Sequence, residues 1–165
     1  MSVTSVRKDT EQLTMTVTAE YDVTADRAWQ LWADPRQLER WWGPPTYPAT
    51  VEKHDLTPGG QVTYYMTGPE GDQPHGWWKV LEAEPPRLLV FEDGFADENG
   101  APNPAMPTMV MRLEITDRAG GVTMTVATRF PSLEAMEQLI GMGMEEGMLD
   151  AMGQIDAVLA GAPAV

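Results

Sequence analysis

Few residues in this chain are of a type that does chemistry. His54 and His75 are the only histidines and there is no cysteine, which excludes thiolate nucleophiles, disulfides and Cys-based zinc sites. The surrounding alternation places the two histidines on strands separated by a third. Neighbouring strands lie about 4.8 Å apart, so the two backbones would stand roughly 10 Å apart, too far for easy shared ligation of a metal. Both read as structural or surface histidines, and no metal and no cofactor is expected. The serines are Ser2, Ser5 and Ser132. Two lie in the polar N-terminal stretch, one is placed to cap a helix, and no Gly-x-Ser-x-Gly elbow exists. The run from Gly141 to Gly147 resembles a phosphate loop only superficially. It has one residue too many for Gly-x-Gly-x-x-Gly, and it falls inside a helix instead of after a strand. Arg112 and Arg129 interrupt otherwise apolar or threonine-rich strands and are read as facing outwards. Acid–base chemistry by a Tyr, Glu, Asp or Arg pointing into an apolar cavity stays open. The chain therefore reads more readily as a binder than as an enzyme, with no catalytic residue assigned.

The unusual residues are apolar. Trp29, Trp32, Trp41 and Trp42 are four of six tryptophans, and there are twelve methionines. Tryptophan buries a large area, and methionine fills irregular gaps and lines adaptable surfaces. Such residues wall a core or a pocket, so the elements that position them matter.

Leu13, Met15, Val17, Ala19 and Tyr21 alternate with polar residues, the period of a half-buried strand. Thr24 can cap a helix running to Trp32, with Asp26 in its first turn. Asp34-Pro35 reads as a second N-cap followed by proline at the first helical position, giving a short helix to about Trp41 that Gly43-Pro44-Pro45 stops. Further strands are predicted over 47–56, around Val62–Met66, over 75–84 and 87–93, around Met109–Ile115 and around Val122–Val126. Thr57-Pro58-Gly59-Gly60 forms a type II turn between two of them. Residues 94–107 are a fourteen-residue connection, long enough to suggest a lid or pocket rim. After Ser132, the residues Leu133, Met136, Ile140, Met144, Met148, Met152, Ile155 and Leu159 form one apolar stripe, which predicts a single long helix. Its glycines 141, 143 and 147 are expected to allow close packing, a kink or room for a ligand. The sum is an α+β chain. It has a curved antiparallel sheet of about seven strands, two short helices after the first, and a long C-terminal helix across the concave face.

The chain has 165 residues and a net charge of −14, which suits one soluble domain and disfavours nucleic acid and anionic membrane surfaces as partners. No apolar run reaches the length of a membrane span or signal peptide, so a cytoplasmic location is expected. The domain is placed over residues 12–160, with flexible ends at 1–11 and 161–165.

A family resemblance rests on particular residues. Val23-x-Ala25-x-x-Ala28-Trp29, Asp34-Pro35-x-x-Leu38-x-x-Trp41-Trp42-Gly43-Pro44, Asp55-Leu56-x-Pro58-Gly59-Gly60, Gly76 and Pro86-Arg87-Leu88-Leu89-Val90-Phe91 resemble the activator of heat-shock protein 90 ATPase homologue family. Pro104-x-Met106-Pro107-Thr108, Arg129-Phe130-Pro131-Ser132 and the segment from Gly143 to Gly147 with Gln154-Ile155-Asp156 are similar to a bacterial single-domain branch of it. The resemblance implies the START-like (SRPBCC) superfamily and its helix-grip, Bet v 1-like fold enclosing a hydrophobic cavity. It implies no single activity. Carriers of lipids or polyketides, aromatase/cyclase-like enzymes, stress-linked proteins and toxin-resistance proteins all resemble this group.

The leading expectation is a small hydrophobic or aromatic ligand held between the sheet and the C-terminal helix. Its walls would come from Trp32, Trp41, Trp42, Tyr64, Met66, Trp78, Phe91, Phe95, Met109, Met111, Met136, Ile140 and Met144. The alternatives are a cavity enzyme of polyketide cyclase, dehydratase or hydrolase type, and a chaperone- or stress-related regulator that binds proteins. Assembly as a homodimer is left open.

Overall fold

The computed structural model describes residues 3–161. The chain runs β1 (Val3–Asp9), β2 (Thr14–Tyr21), α1 (Ala25–Ala33), α2 (Pro35–Trp41), β3 (Ala49–His54), β4 (Gln61–Met66), β5 (His75–Glu84), β6 (Leu88–Ala96), β7 (Met109–Arg118), β8 (Gly121–Arg129), α3 (Leu133–Gly141), α4 (Met144–Met152) and α5 (Ile155–Ala160). All eight strands join in one antiparallel sheet of order β1-β2-β8-β7-β6-β5-β4-β3. Register shifts between Val51 and Lys53 and between Val80 and Glu82 are the local irregularities that bend a sheet of this kind. Side chains of alternate residues on β2, β6, β7 and β8 are buried, so one face of the sheet carries the core.

The α+β helix-grip architecture stands, with two changes. The sheet has eight strands instead of seven, because Val3–Asp9 pairs with β2. The N-terminal stretch expected to be flexible is therefore an edge strand from residue 3 onwards. Residues 1, 2 and 162–165 of the expected flexible ends lie outside the described residues. The second change is in the C-terminal helix, which follows the predicted stripe but comes in three pieces. Gly143, at φ 93°, sits in the left-handed region between α3 and α4, a conformation glycine adopts without steric cost. Gly153 and Gln154 separate α4 from α5.

The helix starts are built as predicted. Thr24 Oγ1 accepts from the Arg27 N–H at 3.2 Å, Asp34 Oδ1 from Arg36 N–H at 2.9 Å, and Ser132 Oγ from Ala135 N–H at 3.0 Å. Each satisfies a backbone donor that the first helical turn leaves open. Ser132→Ala is expected to cost about 1 kcal/mol of stability by loss of the cap, read as a lower urea midpoint at unchanged slope.

The short helices are tied to the rest of the fold by polar contacts. Trp41 Nε1 donates to the Leu31 carbonyl at 2.9 Å, and the His54 ring Nε2 bonds the Trp32 carbonyl at 2.9 Å. Arg27 bridges Gln37 Oε1 at 2.6 Å and the Val158 carbonyl at 3.2 Å, linking α1, α2 and α5. The Gln154 amide donates to the Gly43 carbonyl at 2.7 Å. At the far edge, Lys8 on β1 pairs with Glu145 on α4. These contacts hold the start of α4 and the end of α2 at fixed positions over the concave face.

Candidate functional site

The tryptophans form the densest part of the interior. Trp32 and Trp41 meet edge to face at 4.8 Å, and Trp42 meets Trp78 in the same way at 4.8 Å. Trp78 stacks on Phe91 at 3.9 Å. Such offset and edge-on pairs add to the area each ring buries. Trp32, Trp41, Trp78 and Phe91 are fully buried. They belong to the core, and none of them is among the residues that line the adjoining gap.

A gap of about 180 Å³ opens beside this cluster, between the sheet and α4. Tyr64 and Met66 line it from β4, Asp93 from β6, and Met109 and Met111 from β7. Met144, Gly147, Met148 and Ala151 line it from α4, and Trp42 and Pro44 close the end beyond α2. Six of the predicted wall residues therefore meet here: Trp42, Tyr64, Met66, Met109, Met111 and Met144. Phe95, Met136 and Ile140 do not. They pack under α3 with Met15, Phe130 and Leu139, in a cluster that borders the gap through Met109 and Met144, because the chain breaks at Gly143 between α3 and α4.

Gly147 is the glycine among the residues that line the gap. A Cβ built at Gly147 would meet no atom within 4 Å, so a larger side chain can be accommodated at this position. Close packing is thus not the reason for the glycines at 141, 143 and 147, each of which has open space around its Cβ direction. The 97–108 connection is not the rim of this cavity either. Asn99, Gly100 and Pro102 instead border a surface hollow with Glu52, Lys53 and Trp77. Two larger hollows, about 750 Å³ beside Gln12, Val110 and Arg129 and about 530 Å³ beside Asp26, Arg87 and Arg118, are lined by a mixture of polar and apolar atoms.

Sequence patterning does not single out Asp93, which stands at the end of a predicted strand. It falls in phase with Leu89 and Phe91 on β6, and that phase turns it inwards. The residue is 7% exposed, and its carboxylate accepts from the Tyr64 hydroxyl at 3.3 Å. Removal from water disfavours the charged form and pushes its pKa up to about 7, against a partial offset from Tyr64 and the Gly94 N–H. Burial, and then the neighbouring Asp93 charge, push the Tyr64 phenol well above its ordinary value. The indole N–H groups of Trp42 and Trp78 lean towards the Tyr64 hydroxyl without closing a regular hydrogen bond.

The remaining candidates do not line the gap. His75 Nδ1 bonds the Gln73 carbonyl at 2.8 Å, at the opposite end of the β4–β5 pair from His54. Arg112 and Arg129 are exposed, Arg112 paired with Glu114 at 2.8 Å. Among the described residues no group of three or more His, Asp or Glu could hold a metal ion.

This fold, an antiparallel sheet packed against C-terminal helices, has known counterparts. The family model described as "Activator of Hsp90 ATPase homolog 1-like protein" matches residues 22–160. The chain belongs to this family. Protein Ms6760 from Mycobacterium smegmatis is 45% identical, with a TM-score of 0.89 over 98% of this chain and 99% of that one. A protein from Arthrobacter aurescens, solved by solution NMR, is 48% identical, with a TM-score of 0.92 over 98% and 94%. CalU16 from Micromonospora echinospora, at 17% identity, a TM-score of 0.62 and 97% and 87% coverage, shares the fold alone. None of the curated proteins compared with the chain matches it. The family match covers α1 to α5 and leaves β1 and β2 outside it. No helix among the described residues is long and apolar enough to cross a membrane.

Proposed function

We propose that this member of the family is a cytoplasmic protein that binds a small hydrophobic or aromatic molecule in the gap between the sheet and α4. The observation that carries the reading is the composition of the gap, where five methionines, Trp42 and Tyr64 surround about 180 Å³. Binding sites for small molecules are concave and mostly apolar, with a few polar groups that set orientation. Methionine walls adapt to ligand shape at little cost, and Tyr64 with Asp93 supplies the polar handle.

Gly147 provides the test. An apolar probe such as propylbenzene should raise the melting temperature of the wild-type protein as its concentration rises, as expected for a ligand that binds only the folded state. Gly147→Leu should raise the melting temperature without ligand, because leucine ranks just below alanine in helix propensity, glycine is about 0.8–1.0 kcal/mol worse than alanine, and the leucine side chain would occupy the gap. The same variant should abolish the ligand-dependent shift. A wild type indifferent to a panel of apolar compounds, or a shift that survives Gly147→Leu, contradicts the reading.

One observation speaks for the cavity-enzyme alternative. It requires two titratable groups converging inside the gap, and Tyr64 and Asp93 do converge there. That reading predicts turnover lost in Asp93→Asn, where simple binding predicts none. The protein-binding alternative has less behind it. The exposed large apolar side chains among the described residues are Leu81, Val110, Leu133 and Met142, which lie on two different strands and around the two ends of α3.

A further inference from the structure

Among the described residues, the gap is lined by one ionisable carboxyl group and no cation to pair with it. Asp93 accepts a single side-chain hydrogen bond, from Tyr64, and the Gly94 N–H faces it. Tyr64 on β4 is its one titratable neighbour among the described residues. Methionines with Gly147 and Ala151 face it from β7 and α4, and Trp42 with Pro44 from the end of α2. A buried carboxylate without a cation is costly, and an anionic ligand would add to that cost. A ligand cation would offset it, since opposite charges attract more strongly beside a buried group than in bulk water. The surroundings suit a cation as well. Trp42 and Tyr64 offer aromatic rings, which attract ammonium groups. The overall charge of −14 draws cations towards the protein.

We infer that the cavity takes a small amine with an apolar body, its ammonium paired with the Asp93 carboxylate and its hydrocarbon part against the methionines. This rests on the binding function proposed above and narrows it to a ligand class. Size agrees, since an apolar cavity of about 150 Å³ accepts benzene and this one, at about 180 Å³, accommodates one ring with a short side chain.

The experiment is calorimetric titration with four probes of matched shape: 2-phenylethylamine, 2-phenylethanol, propylbenzene and 3-phenylpropionate. At pH 8 the amine should bind at least about tenfold more tightly than propylbenzene, as a charge-assisted hydrogen bond is worth more than a neutral contact. The alcohol should fall between them and the carboxylate should be weakest. Within the Asp93→Asn variant, the amine should lose its advantage over propylbenzene. In the wild type, lowering the pH from 8 to 6 protonates Asp93, so amine affinity should drop about tenfold while propylbenzene affinity holds. If propylbenzene binds but the amine is no better than the hydrocarbon or the alcohol, the inference fails and the binding function survives. The inference fails in the same way if the preference persists in Asp93→Asn or ignores pH. If none of the four binds, both fail.

Discussion

Replacing Trp32 with alanine should cost about 3–5 kcal/mol of folding stability, the range for large aromatic truncations in a core. Trp32 is fully buried and stands where the two short helices meet the sheet. Its ring contacts Trp41 at 4.8 Å, Trp42 at 5.9 Å, Trp78 at 6.1 Å and Phe91 at 6.3 Å. Its Nε1 donates to Met124 Sδ at 3.4 Å. Removing it strips one side from four aromatic neighbours whose backbones belong to different elements and cannot all move in together. Small domains hold only about 5–15 kcal/mol in total, so the variant should unfold at much lower urea. A loss under about 1 kcal/mol in urea denaturation would show that the cluster can close over the hole, and that Trp32 does not join helices to sheet as described.

Asp93→Asn should have the opposite sign, and its size should depend on pH. In the unfolded chain the Asp93 carboxyl takes its ordinary value of 3.8, and in the fold it rises to about 7. Between these values the folded protein holds a proton that the unfolded chain has released. Stability contributed at this position therefore falls as pH rises from about 4 to 7, and the full cost of burying the charge applies above 7. Converted at about 1.4 kcal/mol per pKa unit, that cost is on the order of 4 kcal/mol. The uncharged asparagine avoids it. Without ligand, Asp93→Asn should match the wild type near pH 4 and exceed it increasingly up to pH 8. A variant less stable than wild type at pH 8 would mean that the carboxylate is already compensated inside the fold.

The order of elements and most strand phases were legible because they depend on local alternation that a half-buried sheet imposes. Leu89-x-Phe91 and Met111-x-Leu113-x-Ile115 point one way in sequence and in structure. The caps at Thr24, Asp34 and Ser132 were legible for a similar reason, as each is a short polar side chain directly before a helical run. β1 was not. It is an edge strand whose residues are mostly exposed, so no period marks it, and only pairing with β2 makes it a strand. The breaks in the C-terminal helix were hidden because the apolar stripe continues across Gly143 while the backbone does not.

The candidate site was half legible. Methionines and aromatics could be assigned to the interior, but whether a buried side chain touches a void or another side chain depends on packing between distant elements. That is why Trp32, Trp41, Trp78 and Phe91 proved to be solid core, while Met148 and Ala151, one turn of α4 beyond Met144 and Gly147, line the gap unpredicted. Asp93 was hidden by its own chemistry, since a carboxylate at the end of an apolar run reads as a boundary. The same strand phase that buries Phe91 buries it too.

The central claim, that the gap under α4 is a binding site, is tested most directly by NMR of the protein carrying ¹³C-methyl methionine, titrated with propylbenzene. Met66, Met109, Met111, Met144 and Met148 line the gap, whereas Met15, Met124 and Met152 are buried elsewhere. The account predicts saturable shifts of the first five methyl signals, with the other three unmoved. Methyl signals that do not respond, or a response centred on Met15, Met124 or the exposed Met142, would contradict it.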